Sequence, residues 1–119
     1  MNKIELKKKD VTVRVIKYIS TNLEKNLSLV FLADNVAYMS PCHFHRMFTK
    51  QTGVSLGQFI MLQRMKAAGK LLESSRYSID EVAQQCGFNS CSVFYRNFRK
   101  YYNTSPDVFR KKKIDLNVI

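Results

Sequence analysis

No apolar run in this chain of 119 residues approaches the ~20 residues that a bilayer-spanning helix needs. Its first ten residues, MNKIELKKKD, also lack the apolar h-region of a secretory signal. A cytoplasmic protein is therefore expected, with no membrane span. Cysteine is scarce: Cys42, Cys86 and Cys91 form an odd set without framework spacing, as expected of reduced thiols rather than a disulfide scaffold. The equipment of catalysis is missing as well. There are no paired carboxylates in a capped site and no Ser/His/Asp arrangement, and the four glycines, at 53, 57, 69 and 87, make no phosphate-cradling loop. Neither an enzyme nor a bound cofactor is expected. Cys42, His43 and His45 are metal-capable types, yet no Cys-x-x-Cys or His-x-x-x-His spacing accompanies them, so no metal site is expected either.

Acidic residues are few and unevenly placed. Nine Asp and Glu face 20 Lys and Arg, a formal net charge of +11. A balance this basic points to a polyanionic partner, with nucleic acid ahead of an anionic membrane surface. No acid lies between Asp34 and Glu73, or between Glu81 and Asp107. Those two windows keep Arg46, Lys50, Arg64, Lys66, Lys70, Arg96, Arg99 and Lys100. Charge runs are commonly no more than solvated faces, but two windows free of acid suit surfaces cleared of repulsion towards phosphate.

What the windows contain is a repeat. Residues 37–50, AYMSPCHFHRMFTK, and residues 87–100, GFNSCSVFYRNFRK, share Ser40/Ser90, Phe44/Phe94, Arg46/Arg96, Phe48/Phe98 and Lys50/Lys100 without a gap. Upstream, Leu29, Leu32 and Ala33 align with Ile79, Val82 and Ala83; downstream, Ser55 and Phe59 align with Ser105 and Phe109. One structural unit is used twice. Each copy reads as a short helix, a tight turn and a second helix. Ser78 and Glu81 form a capping box for the first helix of the second copy, and Gly87 ends it. Ser40 caps the second helix of the first copy, with Pro41 at its first position, and Ser90 does the same in the second copy. Gly53 and Asn103 suit left-handed caps at the matched ends.

The remaining pattern is helical too, with no strand signal. Val11, Val15, Ile16, Ile19 and Leu23 predict an N-terminal helix ending before Ser28. Ser55 caps a run to about Glu73 with a stripe of Phe59, Ile60, Ala67, Ala68, Leu71 and Leu72. Gly69 costs that helix ~1 kcal/mol relative to alanine, so it is expected to pack against something close. A last short helix begins at Ser105-Pro106. The expected fold is all-α with about seven helices: a basic N-terminal tail over 1–9, a helix plus first helix-turn-helix unit over 10–54, a long linker helix over 55–74, a second unit over 75–112 and a C-terminal tail over 113–119.

On a helical wheel, Phe44, Met47 and Phe48 share one face of the first unit's second helix, and Cys42, His45, Arg46 and Thr49 share the other. Ser92, Tyr95, Arg96 and Arg99 take the corresponding places in the second copy. An apolar face pins such a helix while the outer face enters a major groove, where the arginine fork matches guanine O6 and N7. These eight residues are the base-facing candidates, and Arg46 and Arg96 are the sharpest pair. Ser40, Lys50, Ser90, Lys100, Arg110, Lys111 and Lys112 are phosphate candidates. Cys42 and Cys91 also sit near helix N-termini in a basic setting, which lowers a thiol pKa and allows redox sensing, although a small side chain near DNA is the simpler account.

The span from Leu29 to Arg110, with SPCHFHRMFTKQTGVSLGQFI, RMKAAGKLLESS and SIDEVAQQCGFNSCSVFYRNFRKYYNTSPDVFR, resembles the AraC/XylS transcription regulators. Ala83, Gly87-Phe88, Ser92, Phe94, Arg96, Phe98 and Pro106 fall where that family's signature places them. The resemblance implies a seven-helix domain whose two helix-turn-helix units, joined by a long helix, read adjacent major-groove segments of double-stranded DNA. A separate ligand-sensing domain has no room here, so no small-molecule ligand is expected. The chain is similar to the short MarA/SoxS-type members, which implies a bacterial, nucleoid-associated monomer that recruits RNA polymerase and activates stress or multidrug-resistance genes. That branch has tryptophan and glutamine where this chain has Cys42 and His45, and the family's turn glycine is replaced by Ala37-Tyr38 in a turn that reads one residue longer. The alternative is a protein-interaction module or anti-regulator using the same basic face.

Overall fold

The computed structural model describes the backbone of residues 2–118 and the side chains of residues 2–112. Seven helices follow one another: α1 (Lys3–Thr21), α2 (Leu29–Leu32) running on as a π-helical segment (Ala33–Ala37), α3 (Pro41–Thr52), α4 (Leu56–Ser74), α5 (Ile79–Gln85), α6 (Cys91–Tyr102) and α7 (Pro106–Val118). No strand occurs among the described residues. The chain divides into two compact units, Met1–Leu62 and Gln63–Ile119, with the boundary inside α4.

The expected caps are present. Ser40 accepts the His43 N–H at 3.2 Å and Ser90 the Val93 N–H at 3.4 Å. Ser78 and Glu81 complete their capping box. Gly53 and Asn103 are both left-handed, with φ of 81° and 60°. Each such cap satisfies backbone groups that a helix end leaves without an intrahelical partner.

Within the segments expected as tails, the described backbone is helical over residues 3–9 and 113–118. Residues 3–9 form the first turns of α1, where Asn2 accepts the Glu5 N–H at 2.9 Å and an acid in the first turn suits the helix dipole. The apolar period starts only at Val11 because these turns bury little: Ile4 and Leu6 are exposed. Periodicity reports burial, and a helix that projects past its core has no periodicity to show. At the other end α7 continues to Val118; the side chains of the tail expected over 113–119 lie outside the described residues.

In the first unit a core of Val15, Ile19, Leu27, Leu32, Ala33, Val36, Ala37, Phe44, Met47 and Phe48 is closed by Leu56 and Ile60 from the start of α4. Phe48 meets Phe44 and Phe59 edge-on, at 5.9 and 5.4 Å between ring centres. In the second unit Met65, Ala68 and Leu72 of α4 are buried, as are Val82, Ala83, Cys86, Phe88, Phe94 and Phe98. The expected α4 stripe is therefore split between two cores, which is why Phe59, Ala67 and Leu71 are only half-buried. Gly69 does have a close neighbour: Tyr102 lies against it and donates its hydroxyl to the Met65 carbonyl at 2.8 Å.

The repeat is also larger than the aligned sequence shows. α1 and α4 are each 19 residues long, and the buried Thr12, Val15 and Ile19 of one match Met65, Ala68 and Leu72 of the other at a constant offset of 53. The loop after α1 is three residues longer than the loop after α4, and this restores the offset of fifty from Leu29 onward. Each unit is thus a leading helix followed by a helix-turn-helix.

Candidate nucleic-acid interface

In α3 the apolar residues face inward as expected. Phe44 and Phe48 are fully buried and Met47 nearly so, burial that stabilises each side chain's placement by about 1.5–3 kcal/mol. The opposite side leaves Cys42, His45 and Arg46 exposed and Thr49 half-exposed. Thr49 donates its hydroxyl to the His45 carbonyl at 2.9 Å, so outward it is left as an acceptor. In α6, with Phe94 and Phe98 buried, Ser92, Arg96 and Arg99 are exposed and Tyr95 is half-buried. Arg46 and Arg96 hold the same place on their two helices, four residues before exposed Lys50 and Lys100. The Ser40 and Ser90 hydroxyl oxygens accept backbone N–H groups, leaving their hydrogens as donors; in the second unit Ser90 Oγ also lies 2.9 Å from Ser92 Oγ.

Arg110 is engaged differently from a free phosphate ligand. It is half-buried and donates Nε–H to the Leu72 carbonyl at 3.0 Å, tying α7 to the end of α4. Lys111 and Lys112 next to it are exposed.

The acid-free windows in sequence are not fully acid-free in space. Asp80 and Asp107, from the first turns of α5 and α7, bond the outer edge of α6. The Cys91 thiol donates to Asp80 Oδ1 at 2.7 Å and the Tyr95 hydroxyl to Asp107 Oδ2 at 2.8 Å. The hydrogen bond to Asp80 pushes the Cys91 thiol pKa up, the reverse of the lowering expected from its helix N-terminus. Burial, and then the bond to Asp107, pushes Tyr95 up to about 12. Tyr95 therefore keeps its proton and spends it on Asp107, which leaves its oxygen as an outward acceptor. The first unit has Val30, Pro41, His45 and Gly57 at the four corresponding positions, so only α6 is held this way. A sequence signal existed, since Asp80 and Asp107 bracket the second window, but linear distance hid the contact.

Buried Cys86 is pushed up to about 11 by desolvation, only partly offset by the Arg64 charge. Arg64 itself lies over the Phe88 ring, 5.9 Å from its centre.

The first helix-turn-helix departs from the second in its turn. The left-handed residue is Gly87 in one, φ 91°, and Tyr38 in the other, φ 56°. Matching positions fifty residues apart places Tyr38 one residue late. The added helical length lies in the π-helical segment, after which Met39 N–H meets the Ala33 carbonyl at 3.1 Å. The helical stretch ends at Ala37 in the first unit and at Gln85 in the second, so at the offset of fifty the helix is two residues longer and the connection to Ser40 two shorter, in place of the longer turn expected from the sequence. Tyr38 is 75% exposed, and Arg14 stacks over its ring at 5.7 Å while donating to the Val36 carbonyl at 2.9 Å.

Two capped helices, each pinned by a Phe pair and each turning a matched arginine outward, make this a protein with two helix-turn-helix units. The profile of the helix-turn-helix domain family matches residues 33–112. The multiple antibiotic resistance protein MarA of Escherichia coli K12 is 35% identical over 96 residues, 81% of this chain and 75% of MarA. The regulatory protein PocR of Salmonella typhimurium is 33% identical over 99 residues, 83% of this chain; the chain spans only 32% of PocR. The DNA-binding domain of AdpA, a global transcriptional factor crystallised with a target DNA, superposes with a TM-score of 0.81 at 36% identity, covering 85% of this chain and 90% of that domain. The chain belongs to the AraC/XylS family of DNA-binding transcriptional regulators. Among the described residues no helix is long and apolar enough to cross a membrane.

Proposed function

We propose that this chain reads a double-stranded DNA site through the outer faces of α3 and α6, each laid in a major groove. The observation that carries the reading is the matched pair Arg46 and Arg96, exposed opposite buried Phe pairs in a chain of net charge +11. A guanidinium fork there meets guanine O6 and N7. Cys42, His45 and Thr49 on α3, with Ser92, Tyr95 and Arg99 on α6, complete the base-facing set. Ser40, Ser90, Lys50, Lys100, Lys111 and Lys112 anchor the phosphates, and Arg110 contributes mainly by holding α7. Binding is as a monomer, one chain to two adjacent half-sites about one turn of B-DNA apart.

The likeness to MarA and to the probable transcription factor PqrA of Proteus vulgaris, 32% identical over 99 residues, supports an activator of stress or resistance genes, which on this reading works with RNA polymerase in a bacterial nucleoid. Selection of tight binders from a random duplex library with the purified protein tests the reading. A two-part motif carrying guanine in both halves is expected. Uniform micromolar affinity without a motif, together with retention of a partner protein on the same basic face, would instead make the chain a protein-interaction module.

A further inference from the structure

The first turns of α1 are there for something other than the core. Ile4 is 65% exposed and Leu6 48%, and the buried residues of α1 begin only at Thr12. What these turns do is bring Lys8 and Lys9 beside the last turn of α3. Glu5, Lys8 and Lys9 line one wall of a cleft of about 190 Å³, and Met47, Lys50 and Gln51 line the other. That is roughly six water volumes at ~30 Å³ each, enough for a tetrahedral oxyanion with part of its hydration. Three lysines and one glutamate share the lining, so the cleft carries a net positive charge even though Glu5 stands within one helical turn of both α1 lysines.

Two comparisons argue that this charge is not a requirement of the fold. At the matching place along α4, 53 residues on, Met61 and Leu62 replace Lys8 and Lys9. Lys100 repeats Lys50, but the α4 positions that match Lys8 and Lys9 carry no charge. The fold tolerates apolar residues at the very positions where the first unit carries two lysines. The cleft also adjoins the candidate interface, because Lys50 lies one turn beyond Arg46 on α3.

We infer that the cleft between α1 and α3 binds a phosphate of the nucleic-acid backbone, held by the ammonium groups of Lys8, Lys9 and Lys50. It anchors the first unit at the groove wall and carries no sequence information. The inference rests on the DNA-binding reading above and extends it to a segment outside the residues that match the family profile, 33–112.

The test compares the full chain with the Lys8→Gln/Lys9→Gln variant on a selected duplex and on a random duplex across salt concentrations. Affinity is expected to fall by the same factor on both duplexes, with the plot of log affinity against log salt shallower by about 0.9, the increment for the one phosphate no longer neutralised. Lys8→Arg/Lys9→Arg is expected to restore wild-type affinity, which a loss of folding would not allow, and Glu5→Gln to tighten both duplexes. An unchanged slope in the double variant while wild type binds DNA overturns the cleft and leaves the parent reading standing; a wild type that binds no DNA overturns both. A loss confined to the selected duplex would overturn the phosphate assignment in favour of base contact. A last arm titrates the DNA-free protein with inorganic phosphate: binding that the double variant loses, with duplex affinity unaltered, would give the cleft to a free anion instead.

Discussion

Replacing Gly69 by alanine should destabilise the second unit, against the simple expectation for a helix interior. In mid-helix the substitution gains ~1 kcal/mol of propensity. The added methyl would fall on the Tyr102 hydroxyl and 3.1 Å from its Cζ, with the Phe109 Cζ at 3.7 Å. Tyr102 has little freedom to retreat, because its ring lies 4.5 Å from Phe98 and 4.8 Å from Phe109, and its hydroxyl is committed to Met65. Overpacking of this kind costs ~1–3 kcal/mol, and losing the Met65 bond adds ~0.5–1.5 kcal/mol. The balance is a loss of about 0.5–3.5 kcal/mol. At about 2 kcal/mol the melting temperature of a unit this small falls by roughly 8–16 °C. Thermal unfolding followed by circular dichroism reads it directly. Tyr102→Phe removes the obstructing oxygen, so Gly69→Ala should cost at least ~1 kcal/mol less in that background. A Gly69→Ala protein that melts higher than wild type would refute the packing argument.

Other outcomes follow from the site. Cys91, whose pKa is raised by its bond to Asp80, holds less thiolate at a given pH than a free thiol, so iodoacetamide at pH 8 should label it slowly; Asp80→Asn should speed labelling, and an unchanged rate by mass spectrometry would remove the carboxylate as the cause. One alanine inserted between Leu62 and Gln63, at the boundary of the units, turns everything downstream by about 100°. Each unit should melt as before while affinity for a full site falls to that of one unit alone, and wild-type affinity would defeat the bipartite reading. Arg46→Ala and Arg96→Ala should each lose ~1–3 kcal/mol on the best site and relax preference at one base pair. Equal losses on random duplex would move either arginine to the phosphate set.

Much of the fold was legible because caps and buried aromatics are local signals. Ser40-Pro41, the Ser78/Glu81 box and the Phe44/Phe48 and Phe94/Phe98 pairs name their helices within a few residues. The start of α1 was not legible, since exposed turns carry no apolar period, and neither was the match of α1 to α4, whose shared feature is which positions are buried rather than which residues fill them. The π-helical segment hid for a similar reason: nothing in ADNVAY shows that the helix runs on through a widened turn instead of ending where α5 does. At the candidate site the outward faces were readable from the wheel. The bonds of Asp80 and Asp107 to α6, and that of Arg110 to α4, depend on contacts 11, 12 and 38 residues apart in sequence.

The measurement that bears most directly on the central claim is the ratio of the chain's affinities for its selected duplex and for a scrambled duplex of the same composition, at physiological salt. If α3 and α6 read base edges, the ratio should reach about 10³ or more and collapse towards one in the Arg46→Ala/Arg96→Ala double variant. A wild-type ratio near one would show that the basic faces attract phosphate without reading sequence, and would contradict the account.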